Sequence, residues 1–239
     1  GVGAAATYKI NNDQELEEFY NIDHITQYIM EEFVNGLILS YDGIANNEHQ
    51  VLFETSHVFP NSIMDVVNNH SNIHYYSLRK IPEELQKLGR SVVKEFPVNA
   101  RFFHCEFFQL LEDRPGLGTK GDVIGLEVNM RPPSGYTPDM MNWANDIDVY
   151  NIYADMVTYN HSEYYTNRSY HCIYCGRRDG KKYYYNDDAL MAMYGNHIVM
   201  NERMPDILSG AMGNYTYTAR FETMDEVNDF IDKVLKEVC

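Results

Sequence analysis

Two stretches decide the fold of this chain: Phe103-His-Cys-Glu-Phe-Phe108 and Glu127-Val-Asn-Met-Arg131. Each places a glutamate in an apolar run with strand character, Glu106 in the first and Glu127 in the second. A carboxylate in such a run is costly to bury unless a cation or hydrogen bonds neutralise it. The pattern therefore predicts either two ordinary salt bridges or one site in which both carboxylates share a partner.

The second stretch carries further polar residues at the spacing of a strand. Side chains alternate between the two faces of a strand, so Glu127, Asn129 and Arg131 are expected on one face. Glu106 joins that face if its strand is the antiparallel neighbour. Carboxylate and amide oxygens are the ligands of hard divalent ions. The sequence thus favours a metal site formed by Glu106, Glu127 and Asn129, and the salt-bridge alternative stays open.

These residues resemble a known family. Glu-Phe-Phe beginning at Glu106, followed by Glu-x-Asn-x-Arg beginning at Glu127, resembles the metal and phosphate centre of the ATP-grasp superfamily, which includes biotin carboxylase and carbamoyl phosphate synthetase. Tyr28-Ile-Met-Glu-Glu-Phe-Val-Asn-Gly36 resembles the hinge that holds adenine in that family. The resemblance covers about residues 1–158. It implies an α+β, ATP-grasp fold that comprises part of the nucleotide-binding lobe and the metal-binding lobe.

The resemblance also implies roles for particular residues. Two carboxylates and an amide would hold Mg²⁺ or Mn²⁺, an arginine would be catalytic by contacting the transferring phosphoryl group or the substrate carboxylate, and the hinge would line the adenine pocket of ATP. The residues concerned are Glu106, Glu127 and Asn129 for the metal, Arg131 for catalysis, and Glu31, Glu32, Phe33 and Val34 for the nucleotide.

The chemistry implied by the family is ATP-dependent ligation. A small-molecule carboxylate would be activated as an acyl phosphate, and an amine or another nucleophile, the co-substrate, would then displace phosphate. Two alternatives remain open: an ATP-grasp kinase that phosphorylates a small molecule, and a non-catalytic nucleotide-binding module.

Composition limits the partners. The chain of 239 residues has a formal net charge of −16, which argues against nucleic acid or an anionic membrane as the main partner. No apolar run approaches the roughly 18 residues of a spanning helix. We therefore expect a cytoplasmic protein, and leave homodimerisation open.

The four cysteines do not form a recognisable framework. Cys172-Ile-Tyr-Cys175 has the spacing of half a zinc site, but a structural site needs four ligands. We expect these two thiols to be ordinary residues of a tyrosine-rich strand, without zinc.

The beginning of the sequence suggests a fragment. Gly1-Val-Gly-Ala-Ala-Ala6 resembles the tail of the glycine-rich loop that covers the nucleotide phosphates in the family. On this reading residues 1–35 are part of that lobe, residues 36–158 the metal-binding lobe, and residues 159–239 a small carboxy-terminal α+β unit. Such a chain is expected to fold but to be catalytically silent by itself.

Hydrophobic periodicity and turn signals predict the elements. Strands are expected at residues 5–10, 28–33, 37–44, 50–57, 102–111, 123–128, 183–185, 197–200 and 212–221. Helices are expected after Asn12, over residues 82–96, 137–157 and 187–194, and after a capping box at Thr223-Met-Asp-Glu226.

Overall fold

A computed structural model of the protein describes residues 7–96, 99–165 and 168–238. Its strands are β1 (Gly36–Ala45), β2 (Val51–Phe59), β3 (Ile73–Ser77), β4 (Arg101–Leu110), β5 (Val123–Asn129), β6 (His171–Arg177), β7 (Ile198–Arg203) and β8 (Tyr215–Phe221). Its helices are α1 (Asp13–Tyr20), α2 (Ile63–Asn68), α3 (Glu83–Glu95), α4 (Thr137–Asn145), α5 (Val149–Tyr159), α6 (Asp187–Tyr194), α7 (Asp206–Met212) and α8 (Met224–Leu235).

All of these strands belong to one sheet in the order β5-β4-β1-β2-β3-β6-β8-β7. Each neighbouring pair is antiparallel. Strand β1 lies between β2 and β4, and the turn at Asn46 and Asn47 closes the β1–β2 hairpin as predicted. The sheet is continuous across the predicted boundary between residues 1–158 and residues 159–239. Strand β3 from the first part of the chain pairs with β6 from the second.

The two faces of the β4-β1-β2 region have different contents. One face is apolar and packs on α3, with Tyr41, Phe103 and Leu85 in a shared core. The other face carries Ser40 and Asp42 beside an apolar cluster that α4 and α5 cover. Because both faces are covered, β1 is buried along most of its length, which explains its nearly continuous apolar sequence.

Several predicted elements are confirmed. The helix predicted over 82–96 is α3, the 187–194 helix is α6, and Asn12 caps α1 by accepting from Glu15 N at 2.9 Å. At Thr223 the capping box is complete, since Thr223 and Glu226 each accept from the other's backbone.

The strand predicted at residues 28–33 is wrong. Residues 27–35 have no regular structure, and Ile29 and Met30 are 80% and 66% exposed. The physical reason is that β1, the strand that follows, is already paired on both of its edges. A short apolar run becomes a strand only where a free edge can accept its backbone. The 5–10 strand is likewise absent over residues 7–10, and its first two residues lie outside the described part of the chain.

Three other predictions need correction. The 137–157 helix is two helices, because Asp146 adopts a left-handed conformation that ends α4 and Asp148 caps α5. Residues 183–185 form a single bridge from Tyr183 to Glu237 in place of a strand. The strand predicted from residue 212 begins at Tyr215, since Met212 ends α7. Strand β3 and the short helices α2 and α7 were not predicted.

No helix among the described residues is long and apolar enough to cross a membrane.

Candidate metal and nucleotide site

Glu106 and Glu127 lie directly opposite each other on β4 and β5. Opposite residues in an antiparallel pair project from the same face, with Cβ atoms about 4.5–5.5 Å apart. The prediction that these two glutamates occupy adjacent strands is therefore confirmed. Glu106 is half-buried and Glu127 is exposed, so the pair lies at the margin of the sheet where solvent has access.

The strand register extends the same face to Asn129 but not to Arg131. Asn129 is opposite His104, two residues along each strand from the glutamates. Strand β5 ends at Asn129, and the Arg131 guanidinium donates to the carbonyl of Pro132 at 2.9 Å. The alternation that predicted Arg131 beside Glu127 thus stops two residues before Arg131, and the exposed Arg131 side chain lies beyond the strand.

A buried polar network adjoins this pair on β1, β2 and β4. Asp42 is fully buried and accepts from His104 Nδ1 at 2.5 Å and from His57 Nδ1 at 2.8 Å, with the Ser40 hydroxyl also donating to it. His104 Nε2 lies 3.5 Å from Glu106 Oε1. A path of polar contacts therefore runs from the centre of the sheet to the glutamate pair.

The charges in this network stabilise one another. Burial alone would raise the pKa of Asp42, but His104 and His57 hold the pKa of this carboxyl well below its usual range. Burial alone would lower the pKa of His104, but Asp42 and then Glu106 raise it to about 10. His104 is therefore an imidazolium at neutral pH, placed between two carboxylates.

Sequence reasoning did not identify Asp42, His57 or His104 as site residues. The signal that was available is Ser40 and Asp42 at strand spacing inside an apolar run, the same pattern that singled out Glu106. The partners of Asp42 are distant in the sequence: His57 is 15 residues away and His104 is 62 residues away. Local patterning does not specify contacts at that separation.

The oxygen atoms at the β4–β5 margin suit a hard divalent ion. The described residues contain no hydrogen bond from the side chains of Glu127 or Asn129, so those oxygens remain available as ligands. In the same part of the chain no group of three His, Cys, Asp or Glu residues is arranged to hold a metal. A donor set of two carboxylates and an amide oxygen would suit Mg²⁺ better than a softer ion, and a metal site formed by these residues stays a prediction.

The hinge segment lies beside a loop that follows β4. Arg114 Nη2 donates to the carbonyl of Phe33 at 2.9 Å and lies 3.4 Å from a Glu32 carboxylate oxygen, while Lys9 Nζ is 3.8 Å from the centre of the Phe33 ring. Glu31, Glu32 and Phe33 are exposed and Val34 is half-buried. These contacts give Arg114 a structural role, and the adenine pocket stays a prediction.

Two other predictions concern the glycine-rich segment and the cysteine pair. Residues 1–6, which resemble the glycine-rich loop, lie outside the described residues. Cys172 and Cys175 are three residues apart on β6, so they project from opposite faces of the sheet and belong to different core clusters. Two thiols on opposite faces do not bind one ion, and burial raises the pKa of both.

The described geometry defines an antiparallel sheet with helices on both faces and a carboxylate pair at one margin. No protein-family model and no curated protein matches the sequence. Solved structures do match. N5-carboxyaminoimidazole synthetase from Staphylococcus aureus complexed with ADP is 13% identical with a TM-score of 0.63, covering 96% of this chain and 57% of that one.

Two more solved structures agree. Phosphoribosylglycinamide synthetase from Anaerococcus prevotii is 13% identical with a TM-score of 0.56, over 95% of this chain and 60% of that one. L-amino acid ligase from Bacillus licheniformis is 12% identical with a TM-score of 0.57, over 86% and 55%. The chain therefore has the ATP-grasp fold, as predicted, and spans somewhat over half the length of these three proteins.

Proposed function

We propose that this chain supplies the metal-binding part of an ATP- and Mg²⁺-dependent ligase that activates a substrate carboxylate as an acyl phosphate for attack by an amine or another nucleophile. The observation that carries the proposal is the facing pair Glu106 and Glu127, with Asn129 on the same face. The similarity to ATP-grasp proteins supports this general kind of activity.

The residues of the chain have distinct tasks in this proposal. Glu106, Glu127 and Asn129 would hold Mg²⁺ through oxygen atoms, and bound Mg²⁺ would neutralise charge on the phosphates. Arg131 is an exposed fork donor two residues beyond the end of the same strand, suited to a phosphoryl or carboxylate group. The His104 ring would restrict the orientation of the Glu106 side chain. Its Nε2 lies beside Glu106, and its Nδ1 is bonded to the buried Asp42.

The nucleotide would lie between the glutamate pair and the segment that contains Glu31, Glu32, Phe33 and Val34. This placement is proposed from the order of elements, since that segment leads directly into β1, which pairs with β4.

Metal binding is the direct test. We expect wild-type protein to bind Mn²⁺, measured by the loss of its free electron paramagnetic resonance signal. Glu127→Gln should weaken binding at least about tenfold, because it removes a charged ligand. Glu84→Gln is the matched control: Glu84 is an exposed glutamate on α3, which packs on the opposite face of the sheet. Equal Mn²⁺ affinity in wild type and Glu127→Gln would contradict the proposal.

Product analysis on the whole protein separates the candidate activities. A ligase sustains ADP formation over many turnovers only when a carboxylate and a nucleophile are both present, whereas a kinase does so with one hydroxyl substrate. A non-catalytic module would bind Mg·ATP without turnover. In the whole protein Glu127→Gln should abolish turnover while circular dichroism stays unchanged.

A further inference from the structure

A cavity of about 510 Å³ lies where the sheet opens between β2 and β6. Strand β3 separates these two strands, but it pairs with β2 at only two positions and ends at Ser77. Beyond that point Leu78, Arg79, Lys80, Arg168 and His171 line the cavity. Four of its five lining residues are thus basic, in a chain whose net charge is −16.

Local hydrogen bonds hold Arg79 in place without neutralising it. Arg79 donates from Nη1 to the Glu222 carbonyl at 2.6 Å and from Nε to the Arg168 carbonyl at 3.2 Å. Arg168 donates to the Glu54 carbonyl on β2 at 2.7 Å. These acceptors are backbone oxygens. Within the described residues, the ion pairs do not include Arg79, and Lys80 pairs only with Glu83 at 3.7 Å, both side chains being more than 80% exposed.

Donors remain available to a ligand. A guanidinium has five N–H donors, and the hydrogen bonds of Arg79 within the described residues use two of them. His171, which also lines the cavity, bonds the Ser77 carbonyl through Nδ1 at 3.0 Å. Burial lowers the pKa of His171, and nearby Arg79 adds to the effect.

We propose that this cavity, the β2–β6 notch, binds a compact oxyanion, the phosphate or carboxylate group of a small molecule. Arg79 supplies fixed donors, Lys80 adds a mobile charge, and Leu78 forms an apolar wall beside them. The notch occupies the β3 position, three strands from β4, so it lies roughly 15 Å along the sheet from Glu106 at about 4.8 Å per strand. It is therefore separate from the glutamate pair, and its test is independent of the metal test above.

The experiment is a titration of the protein with inorganic phosphate at constant ionic strength, followed by NMR. We expect saturable shifts of the His171 ring and of the amides of Arg79 and Lys80, with sodium chloride as the reference salt. The His171 pKa should rise when phosphate is bound, because an adjacent anion favours the imidazolium. Parallel titrations with a sugar phosphate monoester and with acetate identify which source of the oxyanion binds more tightly.

Two variants make the test decisive. Arg79→Gln should raise the phosphate Kd about tenfold or more, the loss expected for charge-assisted hydrogen bonds. Because Arg79 also bonds two carbonyls, Lys80→Gln serves as a second variant whose exposed side chain contributes little to folding. Lys94→Gln, an exposed lysine at the other end of α3, should bind phosphate like wild type. The proposal would be overturned if the NMR shifts with phosphate did not saturate and matched those with sodium chloride. Unchanged affinity in both notch variants, or an equal loss in Lys94→Gln, would also overturn it.

Discussion

Single carboxylates are held on both faces of the sheet, by different means. On the site face the partners of Asp42 are two histidines. On the α3 face Glu54 accepts from Tyr41, Gln86 and Arg90 at 2.5–3.0 Å. The two histidines reach Asp42 from β2 and β4, and the donors to Glu54 come from β1 and α3, so these contacts fix how strands and helix are placed.

The Glu54 network leads to a prediction about stability. Replacing Glu54 by Gln should lower the free energy of unfolding by about 1–2 kcal/mol at pH 7, a value reduced because the Arg90 side chain is 56% exposed. Chemical denaturation measures the change. Glu84 is an exposed residue of α3, the helix that carries Gln86 and Arg90, and Glu84→Gln should change stability by less than about 0.5 kcal/mol.

The difference in unfolding free energy between wild type and Glu54→Gln should depend on pH, and the pKa of Glu54 determines its direction. Burial would raise the pKa of Glu54, but Arg90, Tyr41 and Gln86 lower it below its unfolded value of about 4.3. The contribution is therefore complete above that unfolded value and is lost as pH falls through the folded pKa. The difference in stability between wild type and Glu54→Gln should shrink below about pH 4; a difference that grows on acidification contradicts the assignment.

Residues at the site differ in how readily the sequence reveals them. Glu106 and Glu127 could be predicted because an acid inside an apolar run is locally anomalous. The histidine partners of Asp42 could not, because their importance depends on strand pairing between distant segments. The prediction for Arg131 extends the alternation past the end of β5, where the bend at Met130 and Arg131 ends the strand geometry.

At the scale of elements, helix α3 approaches β1 unusually closely through Gly89. A Cβ at Gly89 would lie 2.3 Å from the Tyr41 ring, a distance that real contacts do not reach. Gly89→Ala should therefore destabilise the protein by about 1–3 kcal/mol through overpacking, although alanine is the better helix former by about 1 kcal/mol. Thermal denaturation is the measurement.

Gly210 provides the matched control for that substitution. It lies within helix α7, and a Cβ there meets nothing within 4 Å. Gly210→Ala should be neutral or stabilising by up to about 1 kcal/mol. A destabilisation of equal size in both variants would show that contact with Tyr41 is not the cause.

The capping box of α8 gives a second prediction for an element. Thr223→Ala removes the side chain that accepts from Glu226 N and should cost about 1 kcal/mol. Thr223→Ser keeps the hydroxyl and should cost much less. Comparing the two denaturation midpoints separates the hydrogen bond from other effects of the substitution, and equal losses in both variants would contradict the capping role.

Elements with strong local signals were predicted well, and those that depend on a partner were not. Amphipathic α3 and the capped α8 carry their own boundaries in caps and apolar stripes. Residues 28–33 have the composition of a strand, but β1, which follows directly in the chain, is already paired on both edges. Short β3 lacks a local signal, and it is a strand because β2 and β6 lie on either side of it.

At the scale of the whole molecule, one sheet connects the two parts of the chain. Tyr75 on β3 stacks on Tyr174 on β6 with ring centres 5.1 Å apart. One buried cluster contains residues from both parts, including Met140 and Cys172. Strand pairing and a shared core on this scale favour unfolding as one cooperative unit.

Native-state hydrogen exchange tests this coupling. Phe230 is fully buried in the α8 core, and Phe230→Ala should cost about 3–5 kcal/mol. If the sheet unfolds as one unit, the protection of the Tyr41 amide on distant β1 should fall by the same free energy. If residues 159–239 form an independent unit, the Tyr41 amide should keep its wild-type protection. Phe19→Ala is the control: this ring belongs to an aromatic cluster with Tyr8 and Tyr28 outside the sheet, so its loss should leave Tyr41 protection unchanged.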